Sequence, residues 1–121
     1  MGLDFGSVET RKIKLRVWWR GEELEFYAEE PTTEERVNYR RDVARCFNRR
    51  GEPDFDKLSR VQIRWAKRKL VGFREGDLTE NGKPIPQNDG KWKDLLEEKA
   101  PEILEGIAGQ LFTSLEDVSV G

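Results

Sequence analysis

A row of cationic side chains is the first feature of this chain that could do chemistry. Residues 54–71 read DFDKLSRVQIRWAKRKLV, which at 100° per residue has an apolar side around Trp65 and a cationic side opposite. The cationic side consists of Lys57, Arg60, Arg64, Lys67 and Arg68. Like charges four residues apart on a helix cost about 0.2–0.5 kcal/mol per pair, so we expect an anion to compensate them. That anion is either the phosphate of a nucleic acid or a set of carboxylates within the same fold.

The charge distribution favours the internal carboxylates. The 121-residue chain has a net charge of -2, whereas nucleic-acid-binding proteins usually carry a clear positive excess. Residues 33–72 contain 12 Lys/Arg and 6 Asp/Glu, and the rest of the chain has a net charge of -8. The sequence therefore predicts a cationic side that is mainly neutralised within the protein, with nucleic-acid binding as the alternative hypothesis.

Residue types that commonly perform catalysis are scarce. The chain has no histidine, which removes the commonest general base and the commonest metal ligand, and its serines have no histidine to activate them. The single cysteine, Cys46, is interpreted as a buried thiol, and the nearby Arg45 and Arg49 leave a reactive thiolate as the alternative. We therefore expect no enzymatic activity and no cofactor.

One segment resembles the beginning of a calcium-binding loop. Asp77, Thr79 and Asn81 match ligand positions 1, 3 and 5, and Gly82 matches the glycine at position 6. Position 12 is Asn88, where the loop requires a glutamate. The sequence therefore predicts no metal site here, and the Asn-Gly pair indicates a type I′ hairpin instead.

The N-terminal part of the chain is predicted to form a β-hairpin. Apolar and polar side chains alternate strictly in residues 12–19 and again in residues 23–28, as in two half-buried strands. A two-residue loop that begins at Gly21 pairs Trp19 with Leu24 and gives cross-strand pairs that all match in character. The apolar face of this hairpin is expected to pack on the helices that follow.

Two helices are predicted directly after the hairpin. The first has Thr32 as its N-cap, forms a capping box with Glu35 and continues to about Arg49. The second is the basic helix, which begins after Asp54 as N-cap and ends by Gly72. The short link between them predicts an antiparallel helical pair.

Two more helices are predicted towards the C-terminus. Residues 91–99 form the third, with Asn88 or Asp89 as its cap, and Pro101 interrupts the helix that follows Lys99. Residues 101–115 form the fourth, because their apolar side chains recur at steps of three and four.

Two features point to a protein partner. Gly106 and Gly109 lie on the polar side of the last helix, where each costs roughly 1 kcal/mol relative to alanine. Either this helix is only marginally stable, or its bare side lets another backbone approach. Trp18 lies on the outer face of the hairpin, where it either anchors an interface or is covered by residues 73–89.

These elements predict one α+β domain, mainly α, over residues 11–115. Its N-terminal two-stranded antiparallel hairpin packs on a bundle of about four helical segments, and residues 1–10 and 116–121 are expected to be disordered. No apolar run approaches the roughly 20 residues of a membrane span. With a single cysteine and no span, a cytoplasmic location is expected.

The layout resembles that of a known family. The segments at residues 30–36 (EPTTEER), 82–85 (GKPI) and 95–104 (LLEEKAPEIL) are similar to small tail assembly chaperones and related accessory proteins of tailed bacteriophages. The resemblance covers residues 12–115. It implies a cytoplasmic, non-enzymatic protein that holds the hydrophobic helices of the tail's length-determining protein during assembly, with no catalytic residues. The leading hypothesis is accordingly a protein-binding or assembly factor, and the alternative is a nucleic-acid-binding module.

Overall fold

The structure is a computed structural model that describes residues 11–113, so the expectations for residues 1–10 and 116–121 lie outside it. It confirms the predicted α+β class, with a hairpin followed by four helices. One face of the hairpin packs against the helices. The elements are β1 (Lys12–Trp19), β2 (Glu22–Glu29), α1 (Thr33–Ala44), α2 (Phe55–Lys69), β3 (Leu70–Phe73), β4 (Thr79–Glu80), β5 (Lys83–Pro84), α3 (Lys91–Lys99) and α4 (Pro101–Phe112).

The hairpin turn lies one residue earlier than predicted. Arg20 and Gly21 form the loop with φ angles of 50° and 83°, as a type I′ turn requires. Trp19 consequently pairs with Glu22, and the predicted pairing with Leu24 is wrong by two positions. The two faces of the hairpin remain as predicted, because a shift of two residues preserves the alternation of side chains.

The sheet has a third strand that the sequence did not indicate. Strand β3 pairs antiparallel with β2, in the order β1-β2-β3, although Leu70 and Val71 were assigned to the basic helix. The side-chain amide of Gln87 covers the outer edge of β3. Its Oε1 accepts a hydrogen bond from Phe73 N at 3.0 Å, and its Nε2 donates one to Phe73 O at 2.9 Å.

Helix α1 begins as predicted and ends early. Thr32 Oγ1 accepts from Glu35 N at 3.1 Å, and Thr32 N donates to Glu35 Oε1 at 2.9 Å, which confirms the capping box. The helix ends at Ala44 rather than near Arg49, since Asn48 organises a separate loop. The Asn48 side chain accepts hydrogen bonds from two backbone N–H groups further along this loop.

Trp65 is at the centre of the helical core. Its ring lies edge-on to Tyr39, with the centroids 6.2 Å apart, and edge-on to Phe112, with the centroids 5.4 Å apart. Its Nε1 donates a hydrogen bond to Asp42 Oδ2 at 2.9 Å. The prediction that the Trp65 side of the basic helix is buried is therefore confirmed, as is Asp54 as the N-cap.

The last two helices follow their apolar spacing. The buried side chains of α4 are Ile103, Leu104, Ile107, Ala108, Leu111 and Phe112. Helix α4 ends at Phe112, so Thr113 is not helical as predicted, and residues 114 and 115 of the predicted helix lie outside the described residues. The N-cap of α3 is Gly90, with φ of 75°, rather than Asn88 or Asp89, although Asp89 Oδ1 still accepts from Lys91 N at 3.0 Å.

A buried ion pair joins α1 to the end of α2. Lys69 Nζ lies 2.8 Å from Glu35 Oε1 and 3.1 Å from Oε2, and the two side chains are only 6% and 16% exposed. Burial alone would raise the pKa of Glu35, but hydrogen bonds from Lys69 and the Thr32 backbone lower the pKa below its ordinary value. Sequence reasoning had not singled out Lys69.

Candidate functional site

A groove lined by both apolar and polar side chains lies where the turn end of the hairpin, residues 77–85 and the α3–α4 pair meet. Its volume is about 570 Å³. Its main apolar lining residues are Trp19, Leu24, Leu78, Ile85, Trp92 and Leu95. The cavity is within the range of sizes that accommodate a ligand or a set of side chains from a partner.

Local structure places each wall of this groove. The Asn81-Gly82 turn, with φ angles of 53° and 78°, is the predicted type I′ turn and folds Leu78 back on Ile85. Ile85 N donates to Leu78 O at 3.0 Å, so both apolar side chains are held at the groove. On the opposite wall Trp92 is fixed edge-on against a sheet residue, with its ring centroid 5.0 Å from that of Phe73.

A second depression of about 550 Å³ continues the first along α3. Both depressions include Glu80, Ile85, Trp92 and Leu95, and we refer to the two together as the α3 groove. Its carboxylates outnumber its cations. The acidic residues are Glu22, Asp77, Glu80, Asp89, Asp94 and Glu98, and the basic ones are Lys91 and Lys99.

Sequence reasoning missed the α3 groove. The sequence feature that could have indicated the groove is the pair of apolar residues that flank the Asn-Gly turn, Leu78 and Ile85. A turn exposed to solvent on all sides would not require apolar residues at these positions. The groove also depends on Trp19 and Leu24 at the far end of the hairpin. No local pattern relates those residues to residues 77–85.

The cationic row on α2 is partly neutralised within the fold. Arg64 Nη2 lies 3.3 Å from Asp42 Oδ2, and Lys67 Nζ lies 2.7 Å from both Asp94 Oδ1 and Glu97 Oε1. The hydrogen bonds to Asp94 and Glu97 raise the pKa of Lys67. The hydrogen bond from Lys67 lowers the pKa of Asp94. Two of the five cations in the row therefore have carboxylate partners.

The other three cations of the row have no such partner within residues 11–113. Lys57, Arg60 and Arg68 are exposed, and none of them forms an ion pair with a described carboxylate. The guanidinium of Arg68 lies over the Trp65 ring, 4.9 Å from its centroid, so it is stabilised by the aromatic face. The exposed ring of Phe55 lies at the start of the same helix.

The three residues predicted to contact a protein are all accessible. Trp18 is 70% exposed on the outer face of β1, so residues 73–89 do not cover it. Within the described residues, a Cβ added to Gly106 or Gly109 would meet no heavy atom within 4 Å apart from the backbone of its own helix. Open space therefore surrounds the bare side of α4.

A polar cluster on the outer face of the sheet is fully engaged in hydrogen bonds. Tyr27 Oη donates to Glu25 Oε2, Asp77 Oδ2 accepts from Glu25 N at 2.8 Å, and Arg74 Nε donates to Asp77 Oδ1 at 3.0 Å. The Tyr27 hydroxyl lowers the pKa of Glu25, and the same hydrogen bond raises the pKa of Tyr27. The cluster attaches residues 74–77 to the sheet.

Buried polar chemistry is limited in the part of the chain that the structure describes. Cys46 is buried, and its Sγ donates to Asp42 O at 3.4 Å. Among the described residues no three Cys, Asp or Glu side chains group as a metal site would require, and no buried polar side-chain atom lacks a hydrogen-bond partner. No helix within residues 11–113 combines the length and apolarity of a membrane span. Comparison with known proteins gave no matching family model, curated protein or solved structure.

Proposed function

We propose that this protein is a non-enzymatic binding or assembly factor that holds an amphipathic helical segment of another protein in the α3 groove. The observation that carries the proposal is the groove itself, a depression between helices and sheet that is lined by apolar side chains together with mainly acidic charged residues. Grooves of this kind bind helices through apolar side chains spaced at i, i+3, i+4 and i+7.

The border of the groove defines the chemistry of the helix it accepts. Glu80 and Glu98 are exposed beside the apolar floor, and Glu22 lies at the hairpin end. A partner helix with an apolar stripe and flanking Lys or Arg would pair with these carboxylates. Helix α3 is nine residues long, so the groove matches about two and a half turns of a partner helix.

The layout resemblance to tail assembly chaperones supports the same role. In that family the bound segments are hydrophobic helices of the tail's length-determining protein, and the work of the chaperone is to hold them during assembly. We propose the corresponding role here, in the cytoplasm of a bacterial host.

The test uses a groove variant and a matched surface variant. Leu95 lines both depressions and is only partly buried, so Leu95→Glu introduces a charge into the groove without removing a core side chain. Val37 is exposed on α1, and Val37→Glu makes the same change away from the groove. The probe is a fluorescein-labelled 20-residue peptide with leucines at i, i+3, i+4 and i+7 and lysines on its flanks, and the measurement is fluorescence anisotropy.

We expect the wild type and Val37→Glu to bind this peptide equally. Leu95→Glu should weaken binding about tenfold or more, because a carboxylate would be buried against the apolar stripe. A scrambled peptide of the same composition should bind weakly to all three proteins. Equal affinity in both variants, or no binding by the wild type, would contradict the proposal.

A second candidate function is nucleic-acid binding by α2. The observation in its favour is that Lys57, Arg60 and Arg68 have no carboxylate partner among the described residues, and that Phe55 is exposed beside them. Three neutralised phosphates on a DNA duplex predict a log–log salt slope of about -2.7. Absence of duplex binding at low salt would exclude this candidate, and binding by Arg60→Glu with an unchanged slope would show that this row is not the site.

A further inference from the structure

We infer that the edge of β1 that faces away from β2 is a second binding site, which accepts an extended acidic segment of another chain as a fourth strand. No other described strand pairs with this edge, and we call it the free edge. This inference does not depend on the α3 groove, because it involves a different edge of the sheet and a different backbone geometry in the partner. Three observations support the inference: the direction of the backbone hydrogen-bonding groups of β1, the space beside β1, and the positive charge of its outer face.

The register of the hairpin determines which backbone groups remain available. Trp19 and Glu22 close a two-residue loop, so the odd-numbered residues of β1 direct their N–H and C=O groups towards β2. The even-numbered residues direct theirs to the free edge, and these are Lys12, Lys14, Arg16 and Trp18. Arg16 confirms this direction, since its carbonyl accepts a hydrogen bond from the side chain of Gln110 on α4 at 2.9 Å.

The two edges of the sheet differ in how they are covered. The β3 edge is closed by Gln87, whose amide bonds both the N–H and the C=O of Phe73. On β1, the hydrogen bond from Gln110 to Arg16 O is the one side-chain bond found at the edge within the described residues. Within residues 11–113, the β1 edge is therefore the more open of the two, and a strand added there would displace Gln110 from Arg16 O.

Space and apolar surface beside β1 favour a further strand. Ile13, Val17 and Trp19 are only half-buried on the inner face of β1, whereas the apolar inner-face residues of β2 are buried. Gly106 lies one turn before Gln110 on the same side of α4, and a Cβ there would meet nothing within 4 Å. A fourth strand would cover the half-buried apolar side chains and pass this bare part of α4.

The outer face of β1 defines the charge of the partner. Lys12, Lys14 and Arg16 are exposed there, and Trp18 completes the row. Arg16 Nε lies 3.5 Å from Glu23 Oε1 on β2. The Arg16 side chain is nevertheless 68% exposed, so it remains accessible from the free edge. Directly opposed unlike charges stabilise a strand pair, so the partner needs Asp or Glu at alternate positions.

A second copy of this chain does not fit the site. Antiparallel pairing of β1 with itself would join even-numbered residues to even-numbered residues, because both edges expose the same backbone groups. The cations on the outer faces would then oppose one another, which is destabilising. The site therefore selects a strand of different sequence, and cationic residues at a sheet edge are also the usual protection against self-association.

The experiment separates backbone pairing from charge. The probe is a labelled eight-residue peptide with Glu and Thr at alternate positions, compared with the same peptide with Lys in place of Glu. Lys14→Pro removes one outward N–H and no bond to β2, whereas Lys14→Ala removes the charge and keeps the N–H. Binding is measured by fluorescence anisotropy, and backbone amide exchange by NMR locates the protected groups.

We expect the Glu peptide to bind and the Lys peptide not to bind. Lys14→Pro should weaken binding about tenfold or more, and Lys14→Ala by a smaller factor, since only proline blocks the strand pairing. The amides of Lys14 and Trp18 should become protected on binding. If Lys14→Pro fails to fold, a Glu peptide with N-methylated alternate amides replaces it and should lose binding to the wild type.

Four results would overturn the inference. The first is that the Glu peptide does not bind at millimolar concentration, and the second is that Lys14→Pro and Lys14→Ala bind it with equal affinity. The third is that amide protection appears at β3 or the α3 groove instead of β1. The fourth is that sedimentation equilibrium shows a homodimer whose formation protects the β1 amides.

Discussion

Replacing Lys69 by methionine should destabilise the protein far more than the same change at another lysine of α2. Both carboxylate oxygens of Glu35 lie within 3.1 Å of Lys69 Nζ, and the two side chains are almost enclosed. Removing one partner of a buried ion pair costs about 3–5 kcal/mol, because a buried charge is left without compensation. Glu35 would keep its bond from Thr32 N, so we expect a loss of about 2–3 kcal/mol in the free energy of unfolding.

The pH dependence of the free energy of unfolding gives an independent measure of the Lys69–Glu35 ion pair. The pKa of Glu35 is lowered in the folded protein, so the ion pair stabilises the fold above the ordinary pKa near 4.5. That stabilisation is lost as the pH falls through the lowered pKa. The difference in stability between the wild type and Lys69→Met should therefore be largest near neutral pH and should shrink below about pH 4.5.

The assay is urea denaturation followed by tryptophan fluorescence from pH 7 to pH 3, with Lys67→Met as the matched control. Lys67 is 28% exposed, and its partners Asp94 and Glu97 are 74% and 47% exposed. Solvent screens such pairs, so the control should lose no more than about 1 kcal/mol. A loss below about 1 kcal/mol in Lys69→Met, or a loss that does not vary with pH, would refute the reasoning.

Three further changes test the packing described above. Gln87→Leu removes both bonds to Phe73, so we expect about 1–2 kcal/mol of destabilisation by urea denaturation and faster exchange of the Phe73 amide. Asp42→Ala leaves the Trp65 indole N–H unsatisfied in the core, which should cost about 1–3 kcal/mol in the same assay; an unchanged midpoint would count against that hydrogen bond. Gly106→Ala should stabilise α4 by about 0.5–1 kcal/mol, measured as a rise in Tm, because its Cβ enters open space.

The elements with local or periodic signals were predictable from the sequence. The capping box at Thr32, the N-cap at Asp54 and the Asn-Gly turn each depend on residues within four positions of one another. The faces of the hairpin and the buried side of α4 follow from repeats of two and 3.6 residues. Each of these patterns can be recognised in the sequence without knowing which other elements pack against the helix or strand.

The register of the hairpin and the third strand could not be predicted from local or periodic sequence patterns. Registers that differ by two residues give the same faces, and the actual turn places Arg20 at φ of 50°, an uncommon angle for a residue other than glycine. Leu70–Phe73 is a short apolar run that continues a helix as plausibly as it forms a strand. Its pairing with β2 joins segments more than 40 residues apart.

The sites were harder to predict than the fold. Lys69 was assigned to neither side of the basic helix, and its partner Glu35 lies 34 residues away on α1. The carboxylates that neutralise Lys67 come from α3, which sequence spacing could not assign among many acidic residues. The α3 groove requires three separate segments to meet, so it became visible only in the folded structure.

The covering of β3 by a single side chain affects how the protein would aggregate on heating. Gln87 belongs to a loop, and loops detach at lower temperature than the core that supports them. Once it leaves, the unprotected edge is a four-residue apolar strand without charged residues, which is a template for intermolecular pairing. Turbidity during incubation should then rise before the helices melt, and storage lifetime would depend on this one loop rather than on the melting temperature of the whole domain.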